Sequence, residues 1–309
     1  MATYRYRVVN LARSRERRET MEARLRAAGL ADRSDFFPAV DGESLRGDAA
    51  VLRRLRRARY VHRRSLSYGE VGCMESHRGV WRELLESSDD FYVVLEDDVE
   101  LLDGLDDVVA ALTGGDFGVA PDFVRLQATQ YVETRCVSVC DLPAGRRLTL
   151  DYGPSPDGGV FGVGLLNTTR VLKDWLLGVA GYLVSRAGAE RLLEHTADYL
   201  RPPDVEVMRF WEHGLLPLVV YPAVVETRNE VPSVLGRLRS ENYGVPPFRW
   251  WDVRYQLFRA PRMVSRRYDV FCYCRFVGGL RERYGEADHV HPATFRYGGD
   301  GLSYFIPRD

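Results

Sequence analysis

The stretch Phe91–Glu100, FYVVLEDDVE, restricts this chain more than any other. Apolar and aromatic residues from Phe91 to Leu95 run directly into Glu96, Asp97 and Asp98. A continuous apolar run of that length suits a strand buried on both faces in a parallel sheet. Open sheets of that kind take their ligands at the carboxyl ends of the strands, which is where the three acids stand. Alternation along a strand places Glu96 and Asp98 on one face and Asp97 on the other. Clustered carboxylates suit a hard divalent cation whose shell is completed by water and phosphate oxygens. The same acids equally suit a solvated strand end or a helix cap.

The flanking sequence supplies the rest of an α/β pattern. Tyr6–Leu11 reads as a first strand, Ser14 as the cap of a helix carrying Met21 and Leu25 inward, and Gly29 as its stop. Asp35–Val40 reads as a second strand closed by the turn pair Asp41-Gly42. Ala49–Tyr60 predicts a basic amphipathic helix, suited to solvent or to an anionic membrane surface. Ser67 and Glu70 have capping-box spacing. The helix they open carries Cys73, His77, Val80, Trp81 and Leu84 on one face, so from its position His77 reads first as a hydrogen-bonded core histidine. Further strands are predicted at 121–126, 135–141, 147–152, 178–184 and 216–221, with Ser185 capping a helix at 186–196. The Gly/Pro-rich run 153–164 is a lid or a plain connection, and lacks the strand–GxGxxG–helix context of a dinucleotide site. Asp204, held behind two prolines, is either a cap or a fixed carboxylate.

Composition sets outer bounds. With 309 residues, 45% of them hydrophobic, the chain can bury a large α/β core. A net charge of −1 provides no global field for nucleic acid. Five cysteines without a CxxC pair are expected to be reduced thiols. The amino terminus lacks a signal-peptide core, so the expected location is cytoplasmic, with the basic helix as the means of any peripheral contact with the inner membrane face. From about residue 241 aromatic residues become dense. The expected organisation is a catalytic-type domain at 1–240 and an aromatic-rich extension at 241–309 packed on it.

In order and spacing, six blocks resemble glycosyltransferase family 25, which includes bacterial lipopolysaccharide and lipooligosaccharide β-galactosyltransferases and collagen galactosyltransferases. They are VVNLARSRERR at 8–18, AVDG at 39–42, LSYGEVGCMESH at 66–77, VLEDDV at 94–99, GYLVSRAGAERLL at 181–193, and Pro203-Asp204. The resemblance implies a GT-A type, Rossmann-like mixed sheet flanked by helices, a UDP-sugar donor (UDP-galactose first), a Mn²⁺ or Mg²⁺ ion and inversion at the anomeric carbon. It implies a glycan, lipid-linked or other hydroxyl acceptor. It places Asn10, Leu11, Arg13 and Asp41 at the nucleotide end, and Ser76 and His77 near the donor. Asp98 is the expected metal ligand, with Glu96 and Asp97 in support. An inverting transfer also needs a base for the acceptor hydroxyl; Asp204 is the first candidate, followed by Glu206 and Glu226. His213, His289 and His291 are available as additional metal ligands.

Two other classes share parts of this pattern. A phosphoacceptor receiver domain also ends a strand in acids, but it needs a lysine well beyond its acceptor. Lys173, the one lysine here, is too close to Asp141 for that arrangement. A catalytically inactive sugar-nucleotide-binding protein would look the same in its binding blocks and differ in donor hydrolysis.

Overall fold

The computed structural model describes residues 2–62, 66–115, 117–127, 135–142, 146–154, 179–221, 223–227, 253–284, 294–298 and 301–305. The chain opens with strand β1 (Tyr4–Asn10), helix α1 (Arg15–Ala27) and strand β2 (Ser34–Pro38). Met21 and Leu25 are buried from α1 as their spacing predicts. Ser14 stands at the N-cap, but its side chain makes no capping bond. At the other end the sequence signal holds: Leu30 N bonds Leu25 O and Gly29 N bonds Arg26 O, with Gly29 at φ 69°. Those paired bonds with a left-handed glycine form a Schellman stop.

Helix α2 (Ala49–His62) turns Val51 and Leu55 toward the core. Arg54 sits 4.0 Å over the Tyr199 ring and Arg57 pairs with Asp198. Val51 and Leu55 of the apolar stripe are therefore partly buried against the protein. No described helix is long and apolar enough to cross a membrane. Helix α3 (Tyr68–Glu86) begins with the predicted capping box, in which Ser67 Oγ accepts from Glu70 N and the Glu70 carboxylate accepts from Ser67 N at 2.8 Å.

Strand β3 (Phe91–Glu96) is followed by the short β4 (Val99–Leu101), helix α4 (Leu105–Gly114) and strands β5 (Phe123–Arg125), β6 (Arg135–Asp141) and β7 (Arg147–Pro154). Then come β8 (Gly181–Ser185), α5 (Arg186–His195), the short helices α6 (Pro203–Val207) and α7 (Phe210–His213), β9 (Leu218–Tyr221) and β10 (Val225–Thr227). Ser185 caps α5 by accepting from Gly188 N. A 32-residue helix, α8 (Val253–Tyr284), and the hairpin β11 (Thr294–Gly298) and β12 (Gly301–Phe305) complete the described elements. The loop predicted at 153–164 lies beyond the described residues from 155 onward, as do Tyr243, Phe248, Trp250 and Trp251.

Among the described residues eight strands form one mixed sheet in the order β2-β1-β3-β8-β5-β9-β7-β6. β3 is parallel to β1 but antiparallel to β8, so it stands in a mixed environment and not the all-parallel one its apolar run suggested. It is nonetheless covered on both faces. Val93 and Leu95 join a core with Tyr6, Val8, Met21 and Leu25, while Tyr92 and Val94 join another with Trp81, Leu84, Tyr182 and Val184. This two-sided burial explains why the strand is apolar without alternation. Tyr273, Val277 and Leu280, spaced along one face of α8, are buried in the first core with Phe210.

Candidate functional site

The parallel trio β2-β1-β3 determines where a ligand can sit. Asn10 is opposite Pro38 and Val9 opposite Glu96, so the three strands end together. Residues from those ends, with α3 as a wall, line one cleft: Val9, Leu11, Arg13, Arg17, Ala39, Val40, Asp41, Gly42, Glu43, Gly69, Cys73, Ser76, His77, Glu96, Asp97 and Asp98. Its empty volume, mouth included, is about 800 Å³. The wall stands close because α3 carries a glycine at the crossing. A Cβ at Gly72 would lie 2.6 Å from Val40 O and 2.8 Å from Gly42 N. Ser76 secures the same contact, accepting from Val40 N at 2.8 Å and donating to Gly72 O at 2.7 Å. Ser76 thus holds the cleft's loop to its helix.

The acids do not alternate as strand geometry predicts, because β3 ends at Glu96 and Asp97-Asp98 form the turn into β4. That turn brings all three into the one cleft. Asp97 is buried, accepting from Asn10 Nδ2 at 2.7 Å on one oxygen and from Arg17 at 3.0 Å on the other. Arg17 also reaches Asp98 Oδ2 at 3.3 Å. Asp98 Oδ1 is buried with no hydrogen-bond partner. Burial, then the charge of Glu96, pushes the Asp98 carboxyl up to about 6, and Asp97 adds to this against the opposing pull of Arg17. Arg13, the other guanidinium lining the cleft, is paired with Asp41, which also caps a short turn by accepting from Glu43 N. An orphaned carboxylate oxygen among three acids fits the oxygen-ligand preference of Mn²⁺ or Mg²⁺. Asp98, through its bare Oδ1, and Glu96 have capacity left for such an ion, whereas both Asp97 oxygens are already engaged.

His77 is 1% exposed at the base of the same cleft. Its Nδ1 is 2.9 Å from the Tyr182 hydroxyl, which also accepts from Trp81 Nε1 at 2.9 Å. Its Nε2 has no hydrogen-bond partner and lies 3.7 Å from Glu96 Oε1. Cys73, His77 and Glu96 bring one ligand-type atom each to within 4.8 Å of one another.

The remaining sequence candidates are elsewhere. Asp204 does not line the cleft; it is half-buried in the first turn of α6 and accepts from Val205 N at 3.0 Å. Glu206 is buried and accepts from Leu200 N, Arg201 N and the Arg201 guanidinium, so it braces the 200–206 turn. Glu226 is opposite Glu100 in the β10–β4 pair, just beyond the acidic turn. Both His213 nitrogens are engaged, Nε2 with Val207 O at 2.9 Å and Nδ1 with Leu215 N at 3.2 Å, which leaves no lone pair for a metal. His289 and His291 lie outside the described residues. Sequence reasoning missed Arg17, whose signal was its position: the first turn of a helix following β1 lies at the carboxyl ends of the strands. It also missed the link of His77 to Tyr182, 105 residues away, for which no local signal exists.

The fold is an α/β mixed sheet flanked by helices, consistent with the Rossmann-like fold of glycosyltransferases, with a cleft at the carboxyl ends of its parallel strands. Residues 4–138 match the family described as "Glycosyltransferase family 25 (LPS biosynthesis protein)". That part of the chain is similar to family 25 sequence, in the region where its motifs stand. A "Glycosyltransferase 25 family member" of Aedes aegypti is 30% identical over 191 residues, 60% of this chain and 27% of that protein. Proteins of the same description from Drosophila pseudoobscura pseudoobscura and Anopheles gambiae are each 33% identical over 96 residues, 30% of this chain. The chain thus matches 27%, 15% and 16% of the lengths of these relatives.

Proposed function

We propose that this protein transfers a sugar, galactose first, from a uridine diphosphate donor to a hydroxyl of a glycan or lipid-linked acceptor, with inversion. The observation that carries the reading is the buried, unpartnered Asp98 oxygen at the strand ends of a region similar to family 25. Asp98 would hold a divalent cation, which would supply charge neutralisation for the diphosphate leaving group. Asn10 and Arg17 restrain Asp97, which keeps the acidic turn in one conformation. Arg13 and Asp41 at the cleft edge, with Leu11, receive the nucleoside. As the acceptor oxygen bonds to the anomeric carbon, the bond from that carbon to the diphosphate breaks and the acceptor proton passes to a carboxylate base. Asp204 remains the first candidate base and Glu226 the next, because Glu206 already accepts three donors.

The test is a thermal-shift panel of nucleotide sugars, each with Mn²⁺ and with chelator. A ligand at one hundred times its dissociation constant adds about 2.7 kcal/mol, a shift of several degrees. UDP-galactose should rank first and UDP should also bind, both only with metal. Absence of any nucleotide response in metal refutes the transferase reading. A stronger response to a donor with another base keeps the reaction class and overturns the donor.

A further inference from the structure

Trp81, Tyr182 and His77 form a buried hydrogen-bond chain whose direction is fixed by their chemistry. An indole N–H can only donate, so Trp81 Nε1 makes the Tyr182 oxygen an acceptor at 2.9 Å. The phenol is fully buried, and burial raises its pKa well above the ordinary value, so its proton stays on. That proton has His77 Nδ1, at 2.9 Å, as its partner. A neutral imidazole that accepts at Nδ1 carries its own proton at Nε2. The opposite tautomer would give the Tyr182 oxygen two donors and leave its buried hydroxyl proton without the Nδ1 acceptor.

The Nε2–H is therefore a donor buried in the wall of the cleft with no hydrogen-bond partner. Glu96 Oε1 is 3.7 Å away, too far for a direct bond and close enough for one oxygen to reach both. An ionised carboxylate only accepts. The group that completes this pair must accept from His77 and donate to Glu96. A hydroxyl does both, whereas a phosphate oxygen would face the Glu96 charge.

We propose that His77 Nε2–H and the Glu96 carboxylate hold one hydroxyl of a sugar ring of the ligand, with Tyr182 and Trp81 as the positioning residues that fix the donor's polarity. This rests on the sugar-nucleotide reading above. The hydroxyl belongs either to the ribose or to the transferred hexose, and the two are separable by experiment.

The experiment has two parts, both on the full chain. ¹⁵N spectra of the histidines in wild-type protein should show a protonated Nε2 and an unprotonated Nδ1 for His77. The opposite assignment overturns the chain's direction without reference to any ligand. Calorimetry in Mn²⁺ then compares UDP with 2′-deoxy-UDP and 3′-deoxy-UDP, and UDP-galactose with its monodeoxygalactose analogues. One hydroxyl should stand out, its removal weakening binding at least tenfold because two cleft groups lose their partner. Tyr182→Phe should erase that discrimination while binding the deoxy analogue as wild type does. Glu96→Ala, at a partly exposed position less prone to misfolding, should erase it too. If every analogue binds within twofold of its parent, the proposal is overturned while the sugar-nucleotide reading stands. If neither UDP nor UDP-galactose binds, both are overturned. Zn²⁺ capture that requires Cys73 and His77 together would also overturn it, since a metal at Nε2 excludes the proton.

Discussion

Asp98→Asn should make the protein more stable and less functional at once. The Asp98 carboxyl is mostly buried, and its pKa is raised from 3.8 to about 6. Holding a charge there at neutral pH thus opposes folding by about 3 kcal/mol. Asparagine keeps the shape without the charge. The sign follows from proton counts. Between about pH 4 and 6 the folded chain holds a proton that the unfolded chain has lost, so wild-type stability falls as pH rises through that window and stays lower above it. The variant's advantage should be absent below about pH 4, grow to pH 6 and level off at up to about 3 kcal/mol, worth several degrees in Tm. Chemical denaturation in chelator across pH 3.5–8 reads this directly. In Mn²⁺ the order should reverse: wild type gains from the ion and the variant does not, and transfer by the variant should drop on the order of a thousandfold. A variant that is less stable than wild type at pH 8 in chelator refutes the claim that Asp98 is electrostatically stressed. One that still responds to metal refutes its role as the ligand.

Other expectations follow from the same geometry. Burial lowers the His213 pKa from 6.5 to about 4, so stability is complete above pH 6.5 and falls by about 3 kcal/mol as pH drops to 4; His213→Gln should flatten that limb of a pH–denaturation curve, and an unchanged limb would disprove the assignment. Gly72→Ala must displace backbone at Val40 or Gly42, costing about 1–3 kcal/mol and weakening nucleotide binding, as denaturation and calorimetry would show; a wild-type Tm would mean the crossing is looser than described. Asp204→Asn should cut kcat and leave donor affinity nearly unchanged if Asp204 is the base; normal turnover moves the search to Glu226. Ser67→Ala removes half of a buried capping box and should cost about 1 kcal/mol or more, measured by urea titration; no loss would mean that water replaces the cap.

What the sequence determined by itself was whatever depends on neighbours within a few residues. The Ser67 box, the Ser185 cap, the Gly29 stop and the boundaries of the strand at 135–141 were legible because capping and periodicity act within a turn or two. The acidic turn was legible for the same reason, since an apolar strand that stops in Glu96-Asp97-Asp98 has its ligand end marked in place. The family blocks added the cleft's other walls at Leu11, Asp41 and Ser76, and Asn10, which holds Asp97. Tertiary structure alone decided which of these groups retain unused bonding capacity. Asp97 and Asp98 are adjacent and alike in sequence, yet Asn10 and Arg17 engage both oxygens of one, while an oxygen of the other is left bare. Glu206 reads as a possible base until the turn at 200–206 folds around its carboxylate. His77 acquires a fixed direction only because an antiparallel β8 lies beside β3 and brings Tyr182 under it. The order of strands in the sheet is set by burial summed over both its faces, a long-range property that no local window of sequence contains.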